Sequence, residues 1–239
     1  MSTRRPLLLP ILATAIFAGL CARLGVWQLD RLSQRRAFNV QLEARLASAP
    51  VAVASLPADT GQGHYRRVTA RGRFEYAGEA RLAARSHLGS PGVHLLTPLR
   101  LEDGRVVVVN RGWVYAPDAM TITDTLWFER DTGLVTIVGY ADTWGERQAG
   151  SAPDRPRIVR ALDSAAVARV VGAPTLPYYV AQTSDSARAP DRPVRLGEPV
   201  LDVGSHRSYA IQWFSFALIA VIGGALLVRE ELVRRRASA

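Results

Sequence analysis

The chain of 239 residues has no lysine and one cysteine, Cys21. All 30 basic residues are arginine, a bias that base composition explains more simply than function does. A lone cysteine cannot build a disulfide framework or a cysteine-based metal site, which excludes a copper chaperone or thiol oxidoreductase that works with paired cysteines. No Gly-x-Ser-x-Gly nucleophile elbow is present. His64, His87 and His94 form neither a His-x-x-His nor a His-Glu-x-x-His pair and read as surface or half-buried histidines. A phosphate-cradling glycine loop is also missing; Gly89–Gly92 (GSPG) reads as a turn. There is no internal repeat or low-complexity tract, and charged residues make up only 21% of the chain. These absences argue against an enzyme and against a disordered charged tail.

The net charge of +9 raises the question of nucleic acid. Its distribution answers against it. Between Arg31 and Ser205 there are 22 arginines and 18 acidic residues, a surplus of four. The two end segments, much shorter, hold the other five positive charges. The basic surplus is densest around hydrophobic stretches and reads as membrane topology.

Leu7–Ala22 carries no charge, and Leu24–Trp27 continues the apolar run beyond Arg23. About 20 residues at 1.5 Å each cross a hydrocarbon core of about 30 Å. Arg23 then snorkels towards one interface, and Trp27 fits an aromatic belt. A cleaved signal peptide is the competing reading of Arg4-Arg5 followed by an apolar core, but no small-x-small cleavage site precedes Trp27. Tyr209–Val228 is a second uncharged run, ended by Arg229-Glu230-Glu231. Two spans put both termini on one side, and arginine counts near the spans favour the cytoplasm for them. Small residues at Ala15, Gly19 and Ala22, and at Ala217, Ala220 and Gly224, are spaced to let the spans pack, although such residues are common in membrane helices anyway.

The expected organisation is a cytoplasmic N-terminus at 1–6, a first transmembrane helix at 7–27, an extracytoplasmic β-rich domain at 28–205, a second transmembrane helix with its outer end at 206–228, and a cytoplasmic basic tail at 229–239. Gln28–Leu46 reads as a helical extension of the first span, and Ala47–Gly63 as a linker. Strands are expected at Arg67–Phe74, Ala80–Arg85, Val93–Leu101, Arg105–Val114, Leu134–Ala141 and Pro177–Gln182. Asp103-Gly104 marks a hairpin turn. Asp163–Val171 reads as a short helix with Asp163 as N-cap and Gly172 past its end. Short strands with few helices predict a mainly antiparallel sheet closed as a barrel or sandwich.

Two places are candidates for chemistry. Asn110–Val114 (NRGWV) ends an apolar strand, and its simplest reading is a sheet end with Trp113 packed and Arg111 solvated or paired. His206 lies three residues before the second span. Helical periodicity puts Ala210, Trp213, Ala217, Ala220 and Gly224 on nearly the same face. That is either an ordinary interfacial histidine or an imidazole above a slot for a porphyrin, with Arg207, Arg23 and Arg31 as cations for the propionates.

Several segments resemble the surfeit locus protein 1 family of cytochrome oxidase assembly factors. They are Leu24–Arg31 (LGVWQLDR), Tyr65–Val68 with Gly72–Phe74, Gly92-Val93 with Thr97–Leu99, Val108–Val114 (VVNRGWV) and His206–Phe214 (HRSYAIQWF). Order and spacing match from end to end. Tyr115, Ser205 and Arg35 depart from the family pattern, which often has Pro, Asn and Lys there; none of them is the proposed ligand. The resemblance implies a non-enzymatic, chaperone-like protein of the bacterial inner membrane, or of the mitochondrial one. It implies that the oxidase catalytic subunit and the haem a synthesis machinery are partners in building the respiratory chain, with membrane lipid around the spans. Haem a would be bound transiently, with His206 on the iron, Trp213 packed on the macrocycle, and Arg207 and Arg23 facing the propionates. A haem-free scaffold holding nascent oxidase subunits is the alternative.

Overall fold

The computed structural model describes residues 8–122, 130–145, 156–183 and 193–237. Arg4 and Arg5 lie outside the described residues, as do parts of the Pro-rich stretches at Pro153–Pro156 and Pro190–Pro199. In chain order the elements are α1 (Leu8–Ala47), β1 (Val51–Ala52), α2 (Thr60–Gly63), β2 (Arg67–Phe74), β3 (Ala80–His87), β4 (Ser90–Leu101), β5 (Val106–Tyr115), β6 (Val135–Thr143), β7 (Ile158–Val159), α3 (Ser164–Val171), β8 (Thr175–Gln182) and α4 (His206–Ala237). They form two compact units: Met1–Gln41 with Leu201–Ala239, and Leu42–Val200.

The first unit is a helix pair. α1 runs unbroken for 40 residues: Pro10 sits in its first turn, where a missing N–H costs nothing, and no proline follows until Pro50. The expected first span and its charged extension are therefore one helix. Both α1 and α4 are long and apolar enough to cross a membrane. Leu8, Leu12, Ile16 and Leu20 on α1, and Ile211, Leu218, Ile219 and Ile222 on α4, point outward. Helices that expose apolar side chains around most of their circumference are stable only with lipid around them.

The second unit is a closed barrel. Its strands run β2–β6–β8–β5–β4, and β4 returns to β2 through Gly72↔Leu101 and Phe74↔Leu99. A Cβ on Gly72 would stand 2.2 Å from the Arg100 carbonyl, so closure at this seam requires glycine. β3 and β7 extend the sheet beyond β4. Most pairs are antiparallel, but β5–β8, β1–β2 and β3–β7 are parallel. Side chains from all five barrel strands meet inside, among them Val68, Leu99, Val107, Ile137 and Val180. The alternation of buried and exposed residues along β2 is the period-2 signature of such a wall.

Local chemistry accounts for the turns. Asp163 Oδ1 accepts from Ala166 N at 2.6 Å and caps α3, and Gly172 ends that helix at φ +73°. Gly104, at φ +85°, closes the β4–β5 hairpin as its sequence predicts. The β3–β4 turn differs from expectation. It is Leu88-Gly89, both at positive φ, and Ser90–Gly92 already pair with β3. A two-residue hairpin needs that left-handed pair to match strand twist. Ala47–Gly63 is not a free linker either. It supplies β1 and the buried Val53, and the Tyr178 hydroxyl donates to Pro57 O and Asp59 O. The last turn of α1 joins it, with Arg45 donating to Gly61 O and His64 O.

Asn110–Val114 does end its strand, with Trp113 packed and Arg111 paired, but it is not an exposed edge: β8 pairs β5 as far as Asn110, and beyond it Trp113 bridges to Val194. Arg111 is 1% exposed and is the largest fully buried side chain among the described residues. It is the extra residue of a bulge, where the register with β4 steps from Leu95↔Gly112 to Leu96↔Asn110. Its guanidinium lies 5.1 Å from the Phe74 ring and 5.4 Å from the Tyr76 ring, with Glu79 Oε2 at 3.4 Å.

Candidate functional site

The helix pair closes along matched stripes. On α1 the buried residues Ala18, Cys21, Gly25, Gln28 and Leu32 are spaced three and four apart. On α4, His206, Ala210, Trp213, Ala217, Ala220 and Gly224 are buried or half-buried, again at alternating spacings of four and three. This is the 3.5-residue repeat of a helix pair with a gentle left-handed crossing. The α4 stripe is the one expected from periodicity. The α1 stripe is not: Ala15 and Gly19 are exposed, and a Cβ on Gly19 would meet nothing within 4 Å. Close approach occurs instead where Gly25 receives the Phe214 ring and Gly224 receives Thr14, each 2.8 Å from an added Cβ.

His206 opens α4 on this stripe. Its Nδ1 donates to Gln28 Oε1 at 2.8 Å. Gln28 is buried and its carbonyl oxygen can only accept, so Nδ1 supplies the proton of this bond and Nε2 is the nitrogen that points away from it. Nε2 has no hydrogen-bond partner among the described residues and lies beside Gly204, 3.5 Å from where a Cβ would stand. The approach to the helix is also held. Asn39 Nδ2 donates to Leu201 O and Asp202 O, and Arg35 Nε donates to Asp202 O. Asp202 Oδ1 accepts from Gly204 N, whose φ is +70°. An imidazole oriented through one nitrogen, with the other facing outward, is the usual arrangement of a metal-binding histidine.

The other expected residues are distributed around this imidazole. Arg207 is its exposed neighbour. Trp213 lies two turns further along the same stripe, half-buried, edge-on to Phe216 at 5.9 Å. Arg23 is exposed, and its position between Cys21 and Gly25 turns it to the side of α1 opposite the stripe. Arg31 lies 5.6 Å over the exposed Trp27 ring. The small-residue face of α4 is thus covered by α1, and the exposed parts of the site are the His206 edge and Arg207. Among the described residues no three His, Cys, Asp or Glu side chains cluster to hold a bare metal ion.

Gln28 and Asn39 escape a reading based on residue type. Their signal is position: Gln28 keeps the three-and-four spacing from Gly25 and Leu32, and Asn39 falls seven residues beyond Leu32. Polar side chains on an apolar seam set register.

The β unit holds two further polar groups. His94 Nδ1 and Asn110 Nδ2 lie 3.2 Å apart. Burial, then Arg85 and His87, lowers the His94 pKa to about 4. His64 Nε2 and the Tyr179 hydroxyl both reach Asp142, at 2.9 and 2.7 Å. Burial pushes the Asp142 carboxyl upward, but donation from His64, Tyr179 and Thr143 N outweighs it and the net shift is downward.

A family model described as the SURF1 family matches residues 15–218. A SURF1-like protein of Monosiga brevicollis is 28% identical over 221 residues, 87% of this chain and 83% of the relative. An uncharacterized SURF1-like protein of Mycobacterium tuberculosis is 29% identical over 235 residues, 94% of this chain and 84% of the relative. Surfeit locus protein 1 of Mus musculus is 26% identical over 209 residues, covering 80% and 66%.

Proposed function

Because the chain belongs to the SURF1 family, we propose that it is a membrane-anchored assembly factor for haem–copper oxidase, acting where haem a enters the catalytic subunit. The observation that carries this reading is the Nδ1–H···Oε1 bond between His206 and Gln28. It joins the two segments, LGVWQLDR and HRSYAIQWF, by which the chain resembles that family. Nε2 of His206 would hold the haem iron, and Gln28 would orient the ring through Nδ1. Arg207, the exposed neighbour of His206, would face a propionate. Trp213 completes the proposed set, packed against the macrocycle; Arg23, turned to the side of α1 opposite the stripe, is not part of it. Single-point attachment at a membrane interface suits a carrier that must release its cargo. The membrane is the bacterial inner membrane, with the β unit outside the cytoplasm and the basic tail inside. The oxidase catalytic subunit and the haem a synthesis machinery are the partners.

One observation favours a second reading, a haem-free scaffold for nascent oxidase subunits: α1 covers the small-residue face of α4 that a porphyrin ring was expected to use. The absorption spectrum of the protein purified from cells making haem a separates the two. A carrier shows haem bands that His206→Ala removes or shifts. Colourless protein that still co-purifies with the oxidase subunit establishes the scaffold.

A further inference from the structure

At the opposite end of the helix pair from His206, an open groove of about 620 Å³ lies between the N-terminal half of α1 and the C-terminal half of α4. That volume falls within the roughly 300–1,000 Å³ of small-molecule sites. Its walls are apolar, with Ile11 and Ala15 on one side and Val221, Val228 and Leu232 on the other. Two arginines, Arg229 and Arg236, also line it.

The charge pattern on this part of α4 is uneven. Arg234 pairs with Glu230 and Arg235 with Glu231, one turn apart on the exposed surface. Arg229 and Arg236 have no carboxylate partner among the described residues, and they are the two that face the groove. Seven residues apart, they share one side of the helix, separated by about 10 Å along its axis. The acidic residues have thus neutralised the arginines outside the groove and left uncompensated the pair inside it. An apolar slot running to two free guanidinium groups, on helices built to sit in lipid, is complementary to an acyl chain that ends in a phosphodiester. Guanidinium is also the side chain best shaped to grip such an oxyanion, through paired N–H donors.

We propose that this groove is a binding site for an anionic phospholipid of the surrounding bilayer. One acyl chain lies against Ile11, Ala15 and Val221, and the headgroup phosphate is held between Arg229 and Arg236. The site is independent of the haem reading and lies at the other end of the spans.

The test uses the full chain in mild detergent, loaded with phosphatidylglycerol or with zwitterionic phosphatidylcholine, and counts retained lipid by native mass spectrometry. Phosphatidylglycerol is expected to stay bound while phosphatidylcholine is stripped. Arg229→Gln with Arg236→Gln should weaken retention by at least tenfold, since one basic residue near an anionic headgroup is worth about fivefold. Arg234→Gln with Arg235→Gln should leave it within about twofold. Ala225→Trp, which fills the groove from an exposed position and keeps both arginines, should also release the lipid. All these positions are exposed, and far-UV circular dichroism checks that the helices persist. Equal retention of the two lipids, equal loss in both arginine pairs, or indifference to Ala225→Trp would overturn the proposal. So would a dimer in which a second copy fills the groove and no lipid is retained.

Discussion

Arg111→Met tests whether the barrel wall depends on one buried ion pair. The substitution keeps an unbranched side chain of similar length and removes the charge. Three losses follow. Glu79, with a side chain 19% exposed, keeps its 2.6 Å hydrogen bond from Thr97 Oγ1 but loses the cation. Leaving one member of a buried pair uncompensated costs about 3–5 kcal/mol. The Phe74 and Tyr76 faces lose a cation at 5.1 and 5.4 Å, about 0.5–1 kcal/mol each. Methionine returns part of this through packing, so the net expectation is about 4 kcal/mol. For a domain of this size that is a fall of roughly 8–16 °C in Tm. Glu79→Gln alone should cost about half as much, and the double variant less than the sum of the singles by at least about 1.5 kcal/mol. Urea unfolding of the full chain in mild detergent, followed by near-UV circular dichroism of the β unit, gives all four corners of the cycle. Additive single effects, or a cost for Arg111→Met under about 1 kcal/mol, would refute the assignment of Arg111 as a paired, stacked core cation.

Three further predictions are simpler. His94 has a folded pKa near 4, below its unfolded value of 6.5, so the unfolded chain binds its proton first as pH falls. Stability of the β unit should therefore drop between about pH 6.5 and 4, by up to about 3 kcal/mol, and His94→Gln should flatten that slope in pH-dependent denaturation. Gly72→Ala forces a Cβ to within 2.2 Å of the Arg100 carbonyl; a loss of at least about 2 kcal/mol is expected, and an unchanged midpoint in the same urea assay would contradict the close β2–β4 approach. Gln28→Leu should keep the helices folded yet weaken haem binding by about 10–100-fold, seen in a haem titration together with a lower iron–histidine stretching frequency by resonance Raman.

The β unit was readable because its strands obey one rule. Buried and exposed residues alternate in β2, apolar runs mark β4 and β5, and Asp103-Gly104 and Asp163…Gly172 carry their own turn and cap chemistry. Closure was harder to read, since the pairing of Gly72 with Leu101 links segments that nothing local connects. The α4 stripe was legible because every position on it from Ala210 onward is small or aromatic. On α1 two stripes of small residues lie side by side, and only the partner helix selects between Ala15–Gly19–Ala22 and Ala18–Cys21–Gly25. Arg111 shows the limit of residue type: an arginine reads as solvated or paired, and only Phe74, Tyr76 and Glu79, all remote in sequence, decide that it is paired and buried. Gln28 was missed for the same reason, because its importance lies in a histidine 178 residues away.

Nε2 of His206 is the proposed iron ligand. Labelling the chain with ¹⁵N-histidine, purifying it from cells that make haem a, and recording electron–nuclear double resonance on the ferric haem addresses that atom directly. The account predicts a ¹⁵N coupling of axial-ligand size, present in the wild type and absent in His206→Ala. Bound haem with no ¹⁵N-histidine coupling, or the same coupling retained in His206→Ala, would contradict it.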